Sequence, residues 1–210
     1  HVINSFLACS ISFINEISEI SSKFNINLNE LEETVKSDNR IGFKSYLRAG
    51  FSFSGGTLAR DVNILNNQAD KSKIKLQILN NIIKSNNKRK QSIISSILKL
   101  VKGKKNILQV GLTYKAGTNT LRRSFPNEIY KKISINKSNK IEMLDSDLDS
   151  NIKKINILDN NIKKKFDVII IFKKEKNLFE IINKYSNINT RIIDIGRYAF
   201  KLKKKLNYFY

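Results

Sequence analysis

The sequence predicts an α/β fold, with an all-helical region over residues 1–102 followed by a Rossmann-like, doubly wound parallel-sheet domain over 103–210. Three observations carry this. Apolar residues recur at three- and four-residue steps before Gly103 and in short strand-length runs after it. Those later runs alternate with helical patterns, as parallel sheets require. The run FDVIIIF (166–172) is apolar on both faces and marks a central strand.

Phe6, Leu7, Ile11, Ile14, Ile17 and Ile20 define one apolar face of a helix from Asn4 to Phe24. Asn27 with Glu30 forms a capping-box pair that opens a short helix through Val35, and Asp38 predicts the cap of a third helix through Leu47. The stretch GFSFSGGTLARD (50–61) comes next. Its glycines suit a tight turn, Thr57 an N-cap, and Asp61 the first turn of a helix, where the dipole favours an acid. Helical patterns resume over Leu58–Gln68, Lys73–Lys84 and Gln91–Val101, with Ile74, Ile78, Ile82, Ile93, Ile97 and Leu100 expected to face inward.

Beyond Gly103 the first strand is NILQVGL (106–112), followed by the helix PNEIYKKI (126–133) with proline near its start. IEMLDS (141–146), FDVIIIF and RIIDIG (191–196) supply three more strands, and NLFEIINKY (177–185) a helix. The Asn- and Lys-rich stretch 149–165 reads as a variable loop and short helix.

Net charge is +21, from 39 Lys+Arg against 18 Asp+Glu in 210 residues. Asn, Ile and Lys dominate the composition, as codon usage in an AT-rich genome produces. The basic clusters 163–165, 173–174 and 203–205 are scattered and read as solvated surface, and no zinc-finger spacing or RNP-like aromatic motif accompanies them. No specific nucleic acid is expected as a partner; a basic nucleic-acid-binding module rests on net charge alone.

Cys9 is the only cysteine, so no internal disulfide is possible and a reducing cytoplasm fits; it reads as a buried, inert thiol. With His1 the only histidine, no metal site is expected. VIIIF (168–172) is strand-sized, so no membrane span is expected. The chain starts at His1 rather than Met with a helical pattern already under way by Ile3, and it reads as the back part of a longer protein.

The loop GLTYKAGTNTLRRS (111–124) follows the first strand, at the carboxyl end of the sheet where ligands of open α/β folds bind. Its Lys115, Arg122 and Arg123 suit a phosphate, and a solvated basic loop has the same composition. Four blocks taken in order, NSFLACSISFINEI (4–17), RIGFKSYLRAGFSFSGGTLARDV (40–62), SNNKRK (85–90) and this loop, resemble the UDP-glucose/GDP-mannose dehydrogenase family. The closing strand RIIDIGRY (191–198) is similar to that family's as well.

The resemblance implies a nucleotide-sugar dehydrogenase that uses NAD to oxidise a sugar alcohol, in polysaccharide-precursor synthesis. It implies a helical dimerisation region at 1–102, a nucleotide-sugar-binding domain at 103–210, a cytoplasmic homodimer and no membrane partner. No GxGxxG occurs, so the NAD-binding Rossmann domain is expected upstream of His1, with the 210 residues inactive alone. The family's GFGG turn corresponds to Ser52–Gly55, its nucleophilic cysteine to Thr57, its following aspartate to Asp61 and its helix asparagine to Asn4. Thr57, Asp61 and Asn4 are thereby the catalytic candidates, with Asp61 and Asn4 positioning water and the sugar hydroxyl. Gly55, Gly56, Lys115 and Arg122 are the substrate-binding candidates, and Arg122 also touches the cofactor. The loop's paired aspartates are replaced by Asn119 and Thr120. A thiolate traps the aldehyde for further oxidation, whereas a neutral hydroxyl with no nearby general base does not. A catalytically degenerate nucleotide-sugar-binding or dimerisation protein of the same family is the alternative.

Overall fold

A computed structural model describes residues 1–54, 56–103, 105–114, 116–148, 157–158, 164–202 and the backbone of 206–207. It forms two compact units, His1–Ile93 and the residues from Ile94 onward.

The first unit is built on α1 (Val2–Lys23), α2 (Leu28–Ser37), α3 (Leu58–Lys71) and the front of α4 (Gln77–Leu100). The helical periodicity of α1 is as predicted, but the core takes a different face. Ser5, Ala8, Ser12, Ile14, Asn15, Ser18 and Ser21 are buried. Ile3, Phe6, Phe13 and Ile20 are 77%, 70%, 53% and 55% exposed. Small side chains let helices approach closely, so Ala8 meets Val62 and Ile82, with the half-buried Cys9 at the edge of that cluster. Of the predicted face, Ile14 packs with Leu28, Leu47 and Ala49, Ile17 packs against that cluster, and Leu7 and Ile11 are half-buried.

Asn27 caps α2 by accepting from the amide of Asn29 (3.0 Å), and its own amide donates to Glu30 Oε1 (2.7 Å). The predicted third helix is absent. Asp38 is instead the C-cap of α2, and its carboxylate accepts from the backbone and guanidinium of Arg40. The amides of Ile41 and Gly42 fold back onto its carbonyl, with Gly42 at φ 81°. This local turn competes with helix, as aspartate favours. The two helices predicted over 73–101 are one, since neither Gly nor Pro interrupts Gln77–Leu100. Ile74 and Ile78 are exposed rather than inward; Ile82, Ile93 and Ile97 are buried, and Leu100 is half-buried.

The second unit contains β1 (Asn106–Val110), α5 (Phe125–Ser134), β2 (Lys140–Leu144), β3 (Val168–Ile171), α6 (Leu178–Tyr185), β4 (Arg191–Asp194) and β5 (Leu206–Asn207). Every pairing is parallel, in the order β2-β1-β3-β4-β5. Chain order reverses between β1 and β3, as in a doubly wound sheet. All four residues of β3 are buried, as its double-faced apolar run predicts. Leu108, Val110, Ile169 and Ile171 pack with Leu178, Ile182 and Tyr185. Ser124 caps α5 by accepting from the amide of Asn127. The two-residue β5 was too short to be read from pattern. Most of 149–165 lies outside the described residues, though Ile157 forms a parallel bridge to Met143. Among the described residues, no helix is long and apolar enough to cross a membrane.

Candidate functional site

Thr57 stands at the N-cap of α3, exposed, and its hydroxyl makes no capping bond. One turn on, the amide of Asp61 donates to the carbonyl of Thr57 (3.0 Å). Asp61 is 2% exposed and is the meeting point of three side chains. Asn4 Nδ2 donates to its Oδ2 (2.6 Å), Arg60 Nε to its Oδ1 (2.8 Å), and His1 Nδ1 lies 3.2 Å from Oδ1. The Asn4 hydrogen bond, followed by that of Arg60, holds the carboxyl below the usual carboxylate range against the opposing effect of burial. Asp61 is therefore an ionised acceptor beside Thr57, suited to orienting a hydroxyl or water. Gly56 is half-buried in the bend before Thr57; Gly55 lies outside the described residues.

The strand-like strap that leads into this turn is gripped by side chains from two helices. Asn15 accepts from the amide of Gly50 (2.9 Å) and donates to the carbonyl of Phe51 (3.0 Å). Asn86 accepts from the amide of Phe53 (2.8 Å) and donates to its carbonyl (3.0 Å). Arg89, buried, donates to the carbonyl of Gly50 from Nε (3.1 Å) and Nη2 (2.9 Å). These contacts explain why blocks 4–17, 40–62 and 85–90 occur together. Sequence reasoning missed Asn15, Asn86 and Arg89 as site-building residues. The available signal was asparagine, a poor helix former, inside long helical patterns.

In the second unit Arg122 is exposed in a turn, and Arg123 beside it has φ 56°. Lys115 lies outside the described residues. The loop is tied to the sheet by a buried carboxylate not anticipated from sequence: Asp145 Oδ2 accepts from the amides of Leu112 (2.7 Å) and Thr113 (2.8 Å) and from the Thr113 hydroxyl (2.9 Å). Asp147 accepts from the amide of Gly117 (2.9 Å), and Ser124 Oγ donates to the carbonyl of Leu112 (2.5 Å). Lys173 joins the two aspartates and Glu175. The prediction that Lys173 is solvated is thus corrected, since its side chain is 10% exposed among three carboxylates. Burial pushes the Asp145 carboxyl up, but Lys173 and the amides of Leu112, Thr113 and Asp147 outweigh it and hold it low. Burial likewise lowers Lys173, and its bonds to Asp145, Asp147 and Glu175 reverse that and raise it.

This arrangement does not fit a dinucleotide bound in the Rossmann manner. Such a site needs close backbone approach after β1 and a free acid on the ribose. A Cβ at Gly111 (φ 93°) would lie 2.7 Å from Lys173 Cβ, so that space is filled, and both oxygens of Asp145 are occupied. Among the described residues, no group of three His, Cys, Asp or Glu is placed to hold a metal ion.

Residues 1–88 match the family model for the central domain of the UDP-glucose/GDP-mannose dehydrogenase family. The UDP-glucose 6-dehydrogenase of Rickettsia prowazekii (strain Madrid E) is 41% identical over 132 residues, covering 61% of this chain and 30% of that protein. The GDP-mannose 6-dehydrogenase of Azotobacter vinelandii is 30% identical over 147 residues, covering 70% and 33%. The chain therefore spans about a third of the length of these curated relatives. In fold it is similar to a UDP-glucose dehydrogenase from Pyrobaculum islandicum, with a TM-score of 0.75 at 17% identity, covering 99% of this chain and 48% of that one. The glycine turn, the Asn4–Asp61 pair and the helix asparagines that grip the strap all fall within the matched residues, and this chain belongs to the UDP-glucose/GDP-mannose dehydrogenase family.

Proposed function

We propose that the chain is part of an NAD-dependent dehydrogenase that oxidises a CH–OH group of a nucleotide sugar, as a homodimer in cytoplasmic polysaccharide-precursor synthesis. The observation that carries this reading is the 2.6 Å bond from Asn4 to the buried Asp61, which joins two of the family's positions across 57 residues. Asn4 and Asp61 hold the sugar hydroxyl or water, and Arg122 meets phosphate. Residues 1–102 dimerise, and 103–210 bind the nucleotide sugar. NAD supplies the hydride acceptor and is held by a part of the protein outside these residues; among the described residues of the second unit, the filled space at Gly111 and the occupied Asp145 support this reading.

Thr57 occupies the nucleophile's place. An exposed hydroxyl without a hydrogen-bonded base does not trap an aldehyde efficiently, so oxidation stops at the aldehyde. The same observation favours a second reading, a family member that binds nucleotide sugar or dimerises without turnover. The test is the product formed from UDP-glucose or GDP-mannose by the protein at its full natural length, identified by mass spectrometry with hydroxylamine trapping. Aldehyde supports the first reading and absence of product with retained binding the second. Uronic acid would remove Thr57 from the nucleophile's place.

A further inference from the structure

Every strand pairing in the second unit is parallel, so the starts of the strands and the loops on which α5 and α6 return to them share one edge, the amino end of the sheet. The fold gathers there basic residues that stand far apart in sequence. The amide of Lys140 donates to the carbonyl of Lys105 (2.8 Å), and Asn139 accepts from the amide of Lys105 (3.1 Å) and donates to the carbonyl of Val101 (3.5 Å). Lys102, Lys105, Lys137 and Lys140 thereby surround one corner. Toward the other, Lys165 Nζ donates to the carbonyl of Lys184 (2.7 Å), and the exposed Arg191 opens β4. Two acids of this end are engaged, Asp167 by the amide of Asn106 and Glu142 by Lys164, so the surplus is positive.

The two most exposed large apolar side chains among the described residues stand at this same end. Ile135, at the C-cap of α5, is 79% exposed, and Ile188, in the turn between α6 and β4, is 99% exposed. That turn is fixed: the amide of Asn187 donates to Thr190 Oγ1 (2.8 Å), whose hydroxyl donates to the carbonyl of Phe166 (2.7 Å). A single exposed isoleucine needs no explanation. Two on loop tips in a field of lysines combine the attractions of an anionic bilayer, since charge holds lysines at the headgroups and apolar tips enter the boundary with the acyl chains. A nucleic acid would use the charge and leave both isoleucines in water, and the loops 134–140 and 186–190 contain no aromatic residue on which a base could stack.

We propose that the amino end of this sheet docks on the surface of an anionic lipid bilayer, with Ile135 and Ile188 entering the headgroup region. The contact is independent of the dehydrogenase reading and needs no spanning helix, and it departs from the absence of a membrane partner that the family resemblance implies. The protein at its full natural length is sedimented with vesicles of phosphatidylcholine alone and with vesicles containing about one third phosphatidylglycerol. Binding to the anionic vesicles only is expected, with release by added salt. Ile135→Asp with Ile188→Asp should weaken it about tenfold, as should Lys137→Glu with Lys140→Glu. Lys71→Glu with Lys75→Glu, an equal change of charge on the first unit, should alter it less than about twofold. All six side chains are exposed, so each pair can change without disturbing packing. No binding to anionic vesicles, equal binding to neutral ones, or equal weakening by the first-unit pair overturns the proposal. So does binding unchanged in the isoleucine pair, and duplex DNA held by that pair more tightly than the vesicles would make nucleic acid the occupant instead.

Discussion

The side-chain amide of Asn86 pairs with both backbone polar groups of Phe53, accepting from its N–H and donating to its C=O. An asparagine side chain here takes the place of a neighbouring strand. Asn86→Ala strands both backbone polar groups of Phe53, and a loss of about 2–3 kcal/mol is expected in urea unfolding. Hydrogen exchange at Phe53 should accelerate in the same variant. Asn86→Asp keeps the acceptor but sets a buried carboxylate oxygen against the Phe53 carbonyl, so its loss at neutral pH should be at least as large.

Lys173→Met removes the cation shared by Asp145, Asp147 and Glu175, and leaves buried carboxylates uncompensated. A loss of about 3–5 kcal/mol is expected at neutral pH. The wild-type chain shows the corresponding pH dependence. Asp145 has a lowered pKa in the folded state, so its contribution is present above its unfolded pKa of about 3.9 and is lost as pH falls through the lower folded value. Lys173 is raised, so its contribution is present below its unfolded pKa of about 10.4 and is lost as pH climbs through the higher folded value. Thermal unfolding from pH 2 to 11 should show both edges, and Lys173→Met should abolish the alkaline one.

Gly111→Ala places a methyl group against Lys173 Cβ in a backbone conformation of φ 93°. A loss of about 1–3 kcal/mol is expected from the backbone alone, with more from the collision. Unfolding as stable as wild type would show that the β1 loop shifts freely, contrary to its ties to Asp145.

Ile3, Phe6, Phe13 and Ile20 form an exposed stripe along α1, with Phe6, Phe13 and Ile20 seven residues apart. Heptad spacing of this kind is the seam of a helix pair. Sedimentation should give a dimer, and Phe13→Glu should shift it to monomer with unchanged helicity. A wild-type monomer at high concentration would remove α1 as the interface.

The extent to which sequence disclosed this structure follows from which interactions are periodic. Strands β1 to β4 and α5 and α6 were legible because each alternates or recurs apolar residues over its own length. The burial of Lys173 was not, because it depends on Asp145 and Asp147 brought from the loop after β2. On α1 the spacing was legible and the buried face was not: the core chose Ser5, Ser12 and Ser18 for closeness of approach, over the larger apolar side chains that periodicity favours. The helix expected after Asp38 failed for a local reason, a carboxylate that bonds its own following turn. Asn4 and Asp61 came from family resemblance alone. Their spacing of 57 residues carries no periodic signal, and only the fold brings them into contact.

The serine-lined inner side of α1 reverses the usual map of tolerance along a helix. Ser18 and Ser21 return their hydroxyls to the carbonyls of Asn15 and Ile17, and Ala8 has no exposed surface, so there is no room on that side for a branched side chain. On the outer side, Ile3 and Phe6 can change size without disturbing the fold. In a composition dominated by Asn, Ile and Lys, one base change turns some serine codons into isoleucine codons. A serine-to-isoleucine change of that kind is tolerated by the fold on the outside of this helix and purged on the inside, which leaves a record of which face is buried in the very residues that hydropathy overlooks.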